Sequence, residues 1–215
     1  MNKRLLISAL AATTLATGLS GCAPLLVGGA AVSAMVAMDR RTSGAQLEDE
    51  GIELRAAARL REAHGSRVNV NITSYNRQVL LTGEVPDTAT RQSVESIISR
   101  VDNVRGIVNE LTIGSPSTLT QRSSDTLTTG KVRAAFVDAR DISAPAFKVV
   151  TERGTVYLMG RVTAREAELA TQITRNVGGV QRVVRIFDII SDDELARMSS
   201  SPAAQPPVSV PARAR

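Results

Sequence analysis

The chain has 215 residues, 43% of them hydrophobic but only 2% aromatic, with no Trp. Ala and Val supply much of the apolar content, so small modules are expected rather than one large core. A single Cys and a single His leave no intrachain disulfide and no ordinary His/Cys zinc site, and the scarcity of aromatics argues against nucleic-acid binding despite a formal charge of +5.

In chain order, Lys3 and Arg4 precede an apolar, small-residue stretch from Leu5 to Gly18, followed by Leu19-Ser20-Gly21-Cys22. This is the layout of a secretory signal. "LSGC" resembles the lipobox of bacterial lipoproteins, which implies cleavage between Gly21 and Cys22 and acylation of the Cys22 thiol. Ala23, where an Asp would retain an inner-membrane lipoprotein, implies the outer membrane facing the periplasm. One acyl chain anchors only marginally, whereas the several carried by a lipoprotein cysteine suffice. The apolar run Ala23–Met38 contains Gly28-Gly29 and falls short of the ~20 residues of a spanning helix. It reads as a membrane-proximal segment.

The remainder repeats itself. "VLLTGEV" (Val79–Val85) returns as "VYLMGRV" (Val156–Val162), with Ile72 over Val149, Gly83 over Gly160 and Ile97 over Ile173. "IVNELTI" (Ile107–Ile113) matches "VVRIFDI" (Val183–Ile189), and upstream "ELRAAARL" (Glu53–Leu60) resembles "KVRAAFV" (Lys131–Val137). The unit of about 67 residues is a duplicated small domain rather than a solenoid.

Each copy reads alike. Apolar spacing predicts a first helix over Glu48–Ala63 and over Thr126–Ala139, with Asp125 as a candidate N-cap. Hairpins follow, Val68–Ser74 with Gln78–Glu84 and Phe147–Thr151 with Thr155–Val162, turning at Tyr75-Asn76-Arg77 and Glu152-Arg153-Gly154. A second helix and a third strand complete the order α-β-β-α-β. The fold class is α+β: two tandem modules, each with two helices packed on a three-stranded mixed sheet. Gly114–Asp125 reads as a polar linker, "SDDE" from Ser191 as the start of a short helix, and the following Pro-rich residues as a disordered tail.

The helix, the hairpin, the glycine near the end of each second strand and the "VxxV" or "VxGV" turn into the last strand resemble the BON domain. With the lipobox ahead of them, the paired motifs are similar to dual-BON outer-membrane lipoproteins. On that resemblance the chain divides into signal peptide 1–21, acylated Cys and apolar segment 22–46, first BON domain 47–113, linker 114–123, second BON domain 124–190, and helix plus tail 191–215. The resemblance implies a non-catalytic protein without cofactor, metal or small-molecule substrate, which binds anionic phospholipid (phosphatidylglycerol or cardiolipin) and supports outer-membrane integrity, including at the division site. It places the lipid-contacting surface on the first helix of the second domain, here Leu127, Lys131 and Arg133. Where related proteins place a large aromatic, this chain has Leu127, and Gly130 weakens the same turn. The alternative expectation is an adaptor for outer-membrane assembly proteins or peptidoglycan-linked partners.

Charge separates the copies. Residues 47–113 carry 8 basic and 10 acidic side chains, and residues 124–190 carry 10 and 7. Such opposite signs suit either mutual attraction or a basic lipid face on the second copy. No G-x-S-x-G, Walker A or dinucleotide fingerprint occurs. His64, before Gly65, reads as a helix C-terminus, and Glu48-Asp49-Glu50 as a solvated helix N-terminus rather than paired catalytic carboxylates.

Overall fold

The computed structural model describes residues 39–200; the expected signal, the lipobox with Gly21 and Cys22, the apolar run to Met38 and the tail from Ser201 lie outside the described residues. In the first module, α1 (Ser43–His64) leads to a hairpin of β1 (Asn69–Tyr75) and β2 (Gln78–Val85), then α2 (Thr88–Ile98) and the short strands β3 (Gly106–Asn109) and β4 (Thr112–Ile113). The second repeats the order with α3 (Leu119–Asp138), β5 (Phe147–Glu152), β6 (Thr155–Thr163), α4 (Ala164–Arg175) and β7 (Arg182–Ile190), and α5 (Asp192–Ser200) is the last of the described elements. Within each sheet the hairpin is antiparallel and the last strand lies parallel to the second.

The two opening phrases of the repeat become the central strands, buried on both faces. Val79 and Leu81 face α1 and α2, as Val156 and Leu158 face α3 and α4. The intervening Leu80, Tyr157 and Met159 meet Tyr75 and Ile186 in a third apolar cluster built from both sheets. The modules therefore pack sheet to sheet, with helices on the two outer faces. Strand periodicity makes this possible, because successive side chains point to opposite sides. The shared glycines allow close backbone approach: a Cβ on Gly83 (φ 108°) would lie 2.1 Å from the Asn69 carbonyl oxygen, and one on Gly160 would lie 2.6 Å from that of Ala146.

Both hairpins turn in two residues rather than three. Asn76 and Arg77 have φ of 49° and 65°, and Arg153 and Gly154 have 49° and 72°, the left-handed pairs that such tight turns need. Each turn is held by a buried aspartate from the module's first helix. Asp49 accepts from the Asn76 and Arg77 N–H groups and the Ser74 hydroxyl, each at 2.7 Å. Asp125 accepts from the Arg153 and Gly154 N–H groups, each at 2.9 Å.

These contacts correct three expectations. Asp49 is not part of a solvated helix start but is 2% exposed. Asp125 is not an N-cap; Thr118 caps α3, its hydroxyl accepting from the Gln121 N–H (3.2 Å), so the expected linker is helical from Leu119 onward. The two first helices also align differently. Their buried faces, Asp49-Ile52-Ala56-Leu60 and Asp125-Thr128-Val132-Phe136, place Arg55 over Lys131 and Ala57 over Arg133, two residues away from the alignment of "ELRAAARL" with "KVRAAFV".

The first module's last strand is interrupted where the second module's is continuous. At the break, the Asn109 side-chain oxygen accepts from the Leu111 N–H (3.2 Å), Leu111 enters the helix-side core, and Glu110 is left toward the other module.

Candidate functional site

The opposite charges of the modules meet at their junction. Glu84, on β2, is 2% exposed and receives the Arg153 guanidinium (2.8 Å), the Asn69 amide (2.7 Å) and the Ser117 hydroxyl. Burial alone would push its carboxyl upward, but these three donors outweigh burial and hold it below the ordinary range. Lys148 reaches Glu53 at 3.0 Å, and Arg182 reaches Glu110 at 2.5 Å. Asn76 donates to Asp188 (2.8 Å). Three cations of the second module thus pair with carboxylates of the first, so they are engaged between the modules.

The residues leading into α1 join the same junction. The Arg40 guanidinium grips both carboxylate oxygens of Glu166 (2.6 and 2.7 Å) and donates to the Arg161 carbonyl (3.1 Å). Glu166 also closes a capping box with Thr163 at the start of α4. Arg41 pairs with Asp39 and Asp49 and lies over the Tyr75 ring, 4.2 Å from its centroid. The chain therefore leaves its N-terminal segment clamped to both modules. Sequence reading missed this clamp, because "DRR" gives no sign of which distant carboxylates it meets.

The outward face of α3 is different in character. Leu119, Leu127 and Val137 are 80%, 66% and 74% exposed, with Ala134 between them. At ~100° per residue they fall within a stripe about 80° wide, a broad ridge along the helix. Leu127 and Lys131 are one turn apart and share a side, with Lys131 exposed. Arg133 lies about 120° from Leu127, on the opposite flank. Its guanidinium leans over the edge strand β5, 3.4 Å from the Val149 carbonyl oxygen. Arg122, also exposed, falls on that flank. Of the three residues singled out from sequence, Leu127 and Lys131 are brought together, and Arg133 frames the ridge from the other side. Leu119 and Arg122 were not legible as part of this face, because α3 begins seven residues before the expected start; Val137 lay within the expected helix but was not singled out. Gly130 lies within the helix, and no other group comes within 4 Å of where its Cβ would be.

His64 ends α1 and is bonded to the Ser93 hydroxyl (3.1 Å). Among the described residues no three His, Cys, Asp or Glu side chains are grouped to hold a metal, and no helix is long and apolar enough to cross a membrane.

Comparison with known proteins agrees with this duplicated architecture. The BON-domain family model matches residues 48–115 and 124–189. The chain is 36% identical over 172 residues to the outer membrane lipoprotein DolP of Haemophilus influenzae, covering 79% of this chain and 89% of that one. It is 30% identical over 159 residues to a 21 kDa hemolysin of Actinobacillus pleuropneumoniae, covering 71% and 80%. Among solved structures, CdsD of the Chlamydia trachomatis type III secretion system aligns over 69% of this chain and 97% of that chain, at 9% identity and a TM-score of 0.29. That likeness is too distant to bear on function.

Proposed function

The chain belongs to the BON-domain family, and from that premise we propose that it is a lipid-anchored outer-membrane protein, facing the periplasm, that binds anionic phospholipid through α3 and supports envelope integrity. Acylated Cys22 retains it at the membrane, and α3 selects the lipid patch beneath it. The name of the Haemophilus relative supports the outer-membrane and lipoprotein parts of this reading.

The observation that carries the lipid part is the apolar ridge of Leu119, Leu127 and Val137 on α3, flanked by Lys131 on one side and Arg122 and Arg133 on the other. A helix lying in a membrane interface needs this arrangement, with apolar side chains entering the acyl boundary and cations reaching sideways to headgroups. Each cation near an anionic surface contributes about 1 kcal/mol, so the three supply roughly 3 kcal/mol. That is weak alone, but the acyl anchor raises the local concentration. Four other basic residues of the second module are held in ion pairs: Lys148, Arg153 and Arg182 across the junction, and Arg161 with Asp188 and Glu194.

The test is co-sedimentation of the non-acylated mature chain with phosphatidylglycerol and with phosphatidylcholine vesicles. Binding to the anionic vesicles should exceed binding to the neutral ones by about tenfold or more. Lys131→Glu with Arg133→Glu should remove that preference, Leu127→Glu should weaken binding to both, and Leu127→Trp should strengthen it. Equal binding to both lipids, or a charge-reversed variant that binds as the parent does, would sink the α3 face.

A further inference from the structure

The duplication supplies its own comparison for the two ends of the junction between the sheets. Counting back from Asp49 and Asp125, Arg40 and Arg41 stand over Pro116 and Ser117, and the hairpin pairs place Tyr75 over Glu152. The contacts repeat with the positions: Arg41 lies over the Tyr75 ring, and the Ser117 hydroxyl lies 3.1 Å from Glu152. At the first end, two arginine side chains occupy the space beside Tyr75 and Glu166. At the second, proline and serine are shorter, and a half-open pocket of about 250 Å³ lies beside Glu152.

Both modules supply its walls, which are polar apart from Leu111 and Tyr157. Two of its cations are already engaged, Arg153 with Glu84 and Arg182 with Glu110. Arg91 and Glu152 are different: both line the pocket, and neither is paired with an opposite charge among the described residues. The Arg91 guanidinium donates to the Asn109 carbonyl (2.9 Å) and side-chain oxygen (3.4 Å), and its Nη1 donates to no described group. The Glu152 carboxylate accepts from the Asn71 amide (3.2 Å).

The second module shows that Arg91 is not needed to build the fold. With Ile97 over Ile173, Arg91 stands where α4 has Ala167, which is 6% exposed in the helix-side core. Val94 and Ala170, one turn on, are both fully buried. A half-buried guanidinium at a position of that kind is costly to desolvate unless acceptors meet it. Asn109 uses only part of its donor set.

We propose that this pocket binds a small zwitterion, its acid group taken by Arg91 and its ammonium by Glu152. A lone anion or a lone cation would leave one wall charge unmatched, whereas a ligand carrying both signs satisfies the two together. The Thr112 and Thr155 side chains, also in the lining, offer hydroxyls to the polar atoms between those charges. The volume lies below the roughly 300–1,000 Å³ of drug-sized sites, which suits an amino acid, a dipeptide or an ethanolamine phosphate group. The shared chemistry is an ammonium a few bonds from a carboxylate or a phosphate. No residue of α3 lines the pocket, so this site stands apart from the lipid face.

The test is a titration of the full-length mature protein in nonionic detergent micelles, followed by NMR of the Arg91 Nε–H and the backbone amides around the pocket. The probes are L-alanyl-L-alanine, O-phosphoethanolamine, acetate and ethylammonium. At least one of the two zwitterions should saturate the shifts, at a concentration about tenfold or more below that needed by acetate or ethylammonium. Saturation by the dipeptide assigns a peptide or amino-acid source, and saturation by phosphoethanolamine a lipid headgroup. Arg91→Ala, which copies α4, and Glu152→Gln, which keeps the shape, should each weaken binding about tenfold or more while leaving the remaining amide spectrum unchanged. Saturation by neither zwitterion would overturn the proposal, as would acetate binding as tightly as they do, or variants that bind as the parent does.

Discussion

Asp49→Ala should cost the folded body about 3–5 kcal/mol, a large share of the 5–15 kcal/mol that holds a typical domain together. The side chain is 2% exposed and satisfies four donors: the Ser74 hydroxyl, the Asn76 and Arg77 N–H groups, and the Arg41 guanidinium at 2.7 Å. Removing it strands a turn that requires two left-handed residues and leaves Arg41, which is half-buried, with only Asp39 as a carboxylate partner. Asp125→Ala should cost less, because Asp125 holds two N–H groups and a distant Gln121 amide but no cation. Equilibrium urea unfolding of both variants measures the difference. Equal losses would mean that the Arg41 contact contributes nothing.

The same carboxylate gives stability a pH dependence. Burial would raise the Asp49 pKa, but the Ser74 hydroxyl, the Arg77 and Asn76 N–H groups and Arg41 together bring it below the ordinary value of 3.8. A carboxyl depressed in the fold binds its proton less readily than in the unfolded chain. Its contribution is therefore complete above the ordinary value and is lost as pH falls through the folded one. Thermal unfolding followed from neutral pH downward should show a decline beginning near pH 4 that is shallower in Asp49→Ala.

The duplication, the element order and the tight turns were legible in sequence because they follow from local pattern: recurring phrases, alternation of two, and glycine where the chain must approach another backbone. The sheet-to-sheet junction was partly written there too. Val79-Leu80-Leu81 and Val156-Tyr157-Leu158-Met159 are unbroken apolar runs, and a strand buried on one face alone would alternate. What stayed hidden depends on long-range partners. Asp49 looks like any acid near a helix start until the hairpin folds back over it. The first turns of α3 are rich in Ser and Thr and read as a linker, yet Thr118 caps them and Asp125 ties them to the next hairpin. That misreading shortened α3 and removed Leu119 and Arg122 from view. The charge difference between the modules was visible, but which cations it would consume was not, since pairing depends on the register of two sheets.

Glu84→Ala should loosen the two modules from each other, at a cost of about 2–4 kcal/mol. Glu84 is the buried meeting point of a strand of the first module, the connection to α3 and the hairpin of the second, through Asn69, Ser117 and Arg153. Glu152 lies 3.1 Å from the same Ser117 hydroxyl, a second acceptor for its one proton, so the polar cluster spans both sheets. Truncating the carboxylate leaves these donors to find water at a packed edge. Arg153 is 40% exposed and can do so, and the Ser117 hydroxyl keeps Glu152 within reach, while the Asn69 amide loses its acceptor in place. The Arg182–Glu110 pair is a useful contrast: Arg182 is 56% exposed, and Arg182→Ala should cost under about 1 kcal/mol despite the short contact. A double-mutant cycle of Glu84→Ala with Arg153→Ala separates the pair from its surroundings and should show a coupling of about 1–2 kcal/mol. If the cluster holds the modules together, Glu84→Ala should also change the shape of unfolding, turning one transition into a broadened or split one, because a module of about 67 residues keeps little stability once its inner sheet face is uncovered. A single sharp transition displaced to lower denaturant would instead show that the apolar contacts of Leu80, Tyr157 and Met159 are enough to keep the sheets joined.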